Sequence, residues 1–145
     1  MADIARTATV TRQTGETDIE ITLNLDGAGR AEVTTGLGFL DHMLNALARH
    51  ARLDLTLKAA GDLHIDDHHT VEDCALVLGG CLREAAADRS DIRRFGSAYA
   101  PLDEALARAV VDISGRPWAE IDLGLVRPAI GALAAENVSH VLRSF

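Results

Sequence analysis

Leu40-Asp41-His42-Met43-Leu44-Asn45-Ala46-Leu47 has a counterpart in Val138-Ser139-His140-Val141-Leu142-Arg143-Ser144-Phe145, aligned without a gap. The apolar positions coincide, and so does the histidine. Leu40, Met43, Leu44 and Leu47 fall at the spacing of one helical stripe. The recurrence predicts an internal duplication of a strands-helix-strand-helix unit. Upstream of the first copy, Ala8, Val10 and Arg12 open a strand, and Ile19, Ile21, Leu23 and Leu25 alternate with period two. A turn at Asp26-Gly27-Ala28-Gly29 returns the chain, and residues 31–35 are expected to pair back as a third strand. Gly36-Leu37-Gly38 breaks the chain before a helix over residues 39–51. Leu53, Leu55 and Leu57 then read as a strand ended by Gly61-Asp62, and a second helix follows over residues 67–89, with Val71, Ala75, Leu78 and Leu82 inward.

After Ser90 the pattern restarts, giving half-domains over residues 1–90 and 91–145. Residues 95–100 and 105–113 read as strands, and Ser114-Gly115-Arg116-Pro117 as a turn. Trp118, Ile121 and Leu123 suggest a further strand, and Glu136-Asn137 opens a last helix. The second half ends soon after His140, so by the repeat roughly 40 residues are missing. The expectation is a C-terminally truncated protein whose second half is incomplete.

The richest run for chemistry is Asp66-Asp67-His68-His69-Thr70-Val71-Glu72-Asp73. On a helix, His68 and Glu72 are neighbours one turn apart and can close on one ion. His69 lies about 100° further round and is aimed elsewhere. Adjacent histidines therefore suggest two ions, or one here and one shared with another element. Read blandly, the run is a solvated acidic helix start.

The totals exclude several classes. At 145 residues the chain is one domain's length and can bury a core. Its net charge of −8 disfavours nucleic acid and anionic membranes, although a few arginines can still make a local anion pocket. No apolar stretch approaches bilayer length, and Met1-Ala2-Asp3-Ile4-Ala5-Arg6 has no signal-peptide core, so the expectation is cytoplasmic. Cys74 and Cys81, about 10 Å apart on one helix, are too distant for a disulfide and read as small buried apolar residues.

Several separate stretches, in one order, carry a resemblance. They are residues 36–44 (Gly-Leu-Gly-Phe-Leu-Asp-His-Met-Leu), His68-His69-Thr70-Val71-Glu72-Asp73, Arg94-Phe95-Gly96, Pro101-Leu102-Asp103-Glu104-Ala105, and Ser114-Gly115-Arg116-Pro117. Together they resemble imidazoleglycerol-phosphate dehydratase over nearly the whole chain. The resemblance implies an α+β fold of duplicated half-domains with helices packed between two mixed β-sheets, of the ribosomal protein S5 domain 2-like kind. It also implies a hydro-lyase of histidine biosynthesis that turns imidazole-glycerol phosphate into imidazole-acetol phosphate. Two Mn²⁺ ions per complete site are implied as well, and a homo-oligomer of trimers reaching twenty-four subunits in the full-length enzyme.

The chemistry is demanding because the carbon losing its proton has no adjacent carbonyl. The imidazole ring must hold the charge, as a metal-bound imidazolate, while hydroxide leaves through a diazafulvene-like species; metal ions would act there as Lewis acids and templates. By the resemblance, the metal ligands are His42, His68, His69, Glu72 and His140, the acid/base residue is Glu16, and Arg94 and Arg116 take the substrate phosphate. Taken alone, Glu16 is an exposed turn residue, the two arginines are surface charges, and His42 and His140 are ordinary helix histidines. His50 and His64 stay unassigned.

The family's second His-His-x-x-Glu run and its following lysine are absent, and Ala46 stands where the family often has glutamine. An alternative reading follows: a catalytically incompetent assembly fragment of that enzyme. A general metallohydrolase is a third, disfavoured because the paired histidines and arginines suit a heteroaromatic ring bearing phosphate.

Overall fold

The computed structural model describes residues 6–87 and 92–145. The chain divides into two compact units: residues 1–87 with 120–145, and residues 88–119. The expected half-domain boundary at Ser90 lies outside the described residues.

The first unit is built on a four-stranded sheet of Thr7–Gln13 (β1), Thr17–Asn24 (β2), Ala31–Thr34 (β3) and Asp54–Gly61 (β4), ordered β1-β2-β4-β3. The period-two pattern has its expected consequence, because Thr17, Ile19, Ile21 and Leu23 are all buried on one face of β2. Pairing aligns these residues into rows across the sheet. Val10 faces Ile21, Ile21 faces Leu57, and Leu57 faces Val33; a second row runs Ala8, Leu23, Leu55, Ala31. Such cross-strand apolar pairs on a buried face fix the register, since a one-residue slip would turn every one of them to solvent.

One pairing differs from expectation. β3 does not pair back on β2; it runs parallel to β4, which lies between them. The central place goes to the strand whose Leu55 and Leu57 are almost wholly buried, while the short β3 takes the edge.

Gly38–Ala51 (α1) connects β3 to β4, and His68–Ala85 (α2) follows β4. Gly36, at φ 82, supplies the left-handed residue needed where the chain turns into α1. In α1, Leu40, Leu44 and Ala48 are buried, whereas Met43 and Leu47 reach only the rim. They line an open apolar groove of about 260 Å³ with Leu78, Leu142 and Phe145. α2 packs on β1 and β2. Thr70, Asp73, Val77 and Cys81 are buried along it, together with Val71, Cys74, Ala75 and Leu78. It ends at Ala85, short of the expected residue 89; residues 88 and 89 lie outside the described residues.

Cys74 and Cys81 are free and buried, as expected. Burial pushes the Cys74 thiol up to about 12 and raises that of Cys81, whose Sγ donates to the Ile21 carbonyl at 3.3 Å.

The second unit contains a separate antiparallel hairpin, Phe95–Leu102 (β5) with Ala105–Asp112 (β6), both of whose faces are exposed. In the first unit, the small hairpin Ala129–Ile130 (β7) and Leu133–Ala134 (β8), turned at Gly131, leads into Ala135–Ser144 (α3), which packs on α2. Residues 138–144 are thus helical, as residues 40–47 are. The strand expected around Trp118, Ile121 and Leu123 does not form. Trp118 is 88% and Leu123 42% exposed, so the alternation here does not mark a buried face, and an unburied strand gains little from packing.

Candidate active site

The start of α2 is held in place from three sides. Asp66 Oδ1 accepts the His68 backbone N–H at 2.9 Å, supplying one of the acceptors a helix start lacks. Asp67, buried, accepts the Ala134 N–H at 2.7 Å, which ties the entry of α3 to the entry of α2. Gly61 at the end of β4 lets the helix approach closely: a Cβ there would lie 2.0 Å from Thr70 Oγ1.

That junction brings His140 of α3 to His68 and Glu72 of α2. One ligand atom from each lies within 4.8 Å of the others. His68 Nε2 is 3.8 Å from Glu72 Oε2, and His140 Nε2 is 3.5 Å from Glu72 Oε1. The two imidazoles stack at 4.7 Å, 16° from parallel. These separations are too long for hydrogen bonds and close to those between neighbouring ligands of one ion held at about 2.0–2.2 Å. His140 Nε2 is buried and lacks a hydrogen-bond partner among the described residues, a loss of roughly 1–3 kcal/mol unless something else takes its lone pair. The donor set of two imidazoles and a carboxylate fits a borderline divalent ion.

Two residues unmarked by the sequence reading orient the paired histidines. His68 Nδ1 donates to Asn137 Oδ1 at 3.3 Å, and His69 Nδ1 donates to Asp62 Oδ2 at 3.0 Å. Each bond leaves Nε2 as the outward-facing donor atom, the arrangement that usually backs a ligating histidine. Asn137 stands one helical turn before His140, a spacing that could have flagged it; Asp62, in the loop after β4, gives no such signal. The two rings lie 5.8 Å apart and 80° from parallel, and His69 is not part of the three-residue cluster. Its hydrogen bond to Asp62 raises the His69 pKa against the opposing loss of hydration, and the charges of Asp62, Glu16 and Asp66 add to the rise.

Glu16 is exposed in the turn between β1 and β2, with its backbone N–H donating to Thr14 Oγ1 at 3.1 Å. Its charge contributes to the raised pKa of His69. His42 is exposed on α1 and lies outside the His68–Glu72–His140 cluster. Asp41, next to it, is held by Thr35, whose N–H and hydroxyl donate to Oδ1 at 2.9 and 2.6 Å. Arg94 and Arg116 belong to the second unit. There Arg94 pairs with Asp112 at 2.7 Å and lies over the Phe95 ring. Arg116 sits beyond Gly115, its N–H donating to Ser114 Oγ at 3.2 Å.

An α+β scaffold that brings two histidines and a carboxylate together from neighbouring helices offers the donor set of a metal centre. Comparison with known proteins makes the class specific. The sequence pattern of the imidazoleglycerol-phosphate dehydratase family matches residues 35–145. Among named relatives, the imidazoleglycerol-phosphate dehydratase of Salinibacter ruber is 52% identical over 96% of this chain, which spans 69% of that protein. That of Phytophthora nicotianae is 56% identical over 97% of the chain, which spans 31% of that longer protein. Among solved structures, the Staphylococcus aureus enzyme superposes with a TM-score of 0.82 at 36% identity, covering 95% of this chain and 75% of its own. The Pyrococcus furiosus enzyme, solved in complex with (S)-C348, gives 0.78 at 34% identity, covering 93% and 71%. The chain belongs to the imidazoleglycerol-phosphate dehydratase family, lyases of histidine biosynthesis.

Proposed function

We propose that the chain serves the dehydration of imidazole-glycerol phosphate to imidazole-acetol phosphate. The observation that carries the reading is the His68–Glu72–His140 cluster with its buried, unpartnered Nε2, beside a second histidine that is not part of it. His68, Glu72 and His140 would hold one divalent ion, and His69, with His42, would serve another; Mn²⁺ suits these donors. Such ions, when bound, would withdraw charge from the substrate's imidazole ring and so lower the barrier to losing a proton from the neighbouring carbon.

The protein's own groups account for the rest. Asp62 and Asn137 fix which nitrogen of each imidazole faces outward. Glu16 would move a proton on or off the substrate, and its charge acting at His69 supports that role. Arg94 and Arg116 offer guanidinium forks for a terminal phosphate; a phosphate at Arg94 would displace the Asp112 carboxylate it now holds. Assembly as trimers within a larger homo-oligomer, and a cytoplasmic location, belong to the same reading. So does the absence of nucleic-acid or membrane partners; among the described residues no helix is long and apolar enough to cross a membrane.

The test is turnover. The chain is incubated with Mn²⁺ and imidazole-glycerol phosphate, and imidazole-acetol phosphate is followed. Product that disappears in Glu72→Gln and falls steeply in Glu16→Gln supports the reading. The second reading, an assembly fragment without turnover, is favoured by His42 standing apart from the cluster. Metal uptake and oligomer formation with no product would select it.

A further inference from the structure

Asp73 is a buried charged residue of α2 that the site does not use, only 7% exposed. Its two oxygens are both taken. Arg12 Nε donates to Oδ1 at 2.8 Å, and Thr17 Oγ1 donates to Oδ2 at 2.5 Å. Because an ionised carboxylate only accepts, the single hydroxyl hydrogen of Thr17 is committed to Asp73. Thr17 Oγ1 must therefore be the acceptor in its 3.1 Å contact with Thr14 Oγ1, so the Thr14 hydroxyl donates. Thr14 Oγ1 is left with its lone pairs, and these accept the backbone N–H groups of Glu16 at 3.1 Å and Thr17 at 3.0 Å. Every hydrogen in the chain has one possible direction. Bonds ordered in this way, ending on a buried charge, reinforce one another.

The outer end of this chain is the backbone of Glu16; its inner end stands one residue after Glu72. The β1–β2 turn is closed on itself by the Thr14 N–H donating to the Thr17 carbonyl at 2.8 Å; the hydroxyl relay adds a tie from that turn to the helix. We infer that Asp73, acting through the hydroxyls of Thr17 and Thr14, is a positioning residue that holds the Glu16 turn in register with the metal-ligand helix. The part of this that concerns proton transfer rests on the dehydratase reading of Glu16. The part that concerns the turn does not.

The experiment uses the full chain loaded with Mn²⁺ and four variants: Thr17→Val, Thr17→Ser, Thr14→Val and Glu16→Gln. Hydrogen exchange is measured by mass spectrometry on peptides covering residues 12–20 and 74–85, alongside bound metal, kcat and KM. Valine keeps the shape of threonine and removes the relay. Exchange over residues 12–20 should rise by about tenfold or more in Thr17→Val and Thr14→Val, with residues 74–85 and metal content unchanged. Thr17→Ser should restore the parent pattern, and kcat should fall in the valine variants with KM unchanged. Unchanged exchange over residues 12–20 in Thr17→Val overturns the inference. Failure of serine to rescue, or an equal rise across both peptides in both valine variants, overturns it too. Full activity in Glu16→Gln would instead sink the acid/base role of Glu16 and leave the exchange result standing.

Discussion

Asn137 and Asp62 do the same work for two different rings, with different chemistry. A neutral amide holds His68, and a carboxylate holds His69. If the outward nitrogens bind ions, loss of either partner frees its ring to rotate. Removal of such an outer partner commonly costs ten- to a hundredfold in metal affinity, so we expect Asn137→Ala to weaken binding by about that factor at the His68–Glu72–His140 position. Asp62→Asn should act on the ion served by His69 and spare the other. Equilibrium dialysis against Mn²⁺ with metal analysis separates the two, and equal effects of both substitutions on one ion would count against two positions. Away from the site, Asp54 anchors the turn before β3. It takes the Arg30 guanidinium and the N–H groups of Ala28 and Arg30, and these bonds hold its carboxyl well below the ordinary range. A depressed folded pKa stabilises the fold above the unfolded value of about 3.9, and that contribution disappears as pH falls through the folded value. The gap in urea midpoint between the parent and Asp54→Asn should therefore be widest near neutrality and close progressively below about pH 4.

Among the elements, α2 is where packing and chemistry compete for the same surface. Its glycines show how tightly each part is held. At Gly61, on the facing strand, a methyl would meet Thr70 Oγ1 at 2.0 Å, so Gly61→Ala must push the helix start away from the sheet. We expect a loss of about 1–3 kcal/mol in denaturant unfolding, with weaker metal binding because the displaced turn carries His68 and Glu72. Gly80, inside α2, has nothing within 4 Å of its missing Cβ. Gly80→Ala should stabilise by about 0.5–1 kcal/mol through helix propensity alone. Similar midpoints for the two variants would refute this account of the helix. The period of two in β2 and the stripe in α1 made these elements legible in the sequence, because burial on one face is written directly into residue type. The partner of β3 was not legible. Which strand takes the centre of a sheet depends on contacts far apart in the chain, and the turn at residues 26–29 suggested the nearer neighbour. Trp118, Ile121 and Leu123 misled because alternation promises a strand only where one face is buried, and here Trp118 and Leu123 are exposed.

At the scale of the whole molecule, the His68–Glu72–His140 cluster comes together where α3 packs on α2. The histidine shared by residues 40–47 and 138–145 could be read from sequence; its meeting with His68 and Glu72 could not, because it depends on the packing of α3 on α2, which includes the Ala134 N–H on Asp67, 67 residues away in the chain. The same dependence makes a prediction about stability. His68 and Glu72 come from α2 and His140 from α3, so an ion bound among them bridges two helices that are distant in sequence. An unfolded chain presents no such cluster, and ligand that binds only the folded state adds RT ln(1 + [L]/Kd) to stability, roughly 2.7 kcal/mol at a hundred times Kd. Thermal unfolding of the chain should shift upward with Mn²⁺ and return to its starting midpoint on chelation. His140→Ala should abolish most of the shift, because it removes the ligand that joins α3 to α2, while His42→Ala, on α1 and outside the cluster, should leave most of it in place. If His140→Ala retains the full Mn²⁺ shift, the ion does not bridge these helices, and the cluster is a packed pair of imidazoles beside a carboxylate.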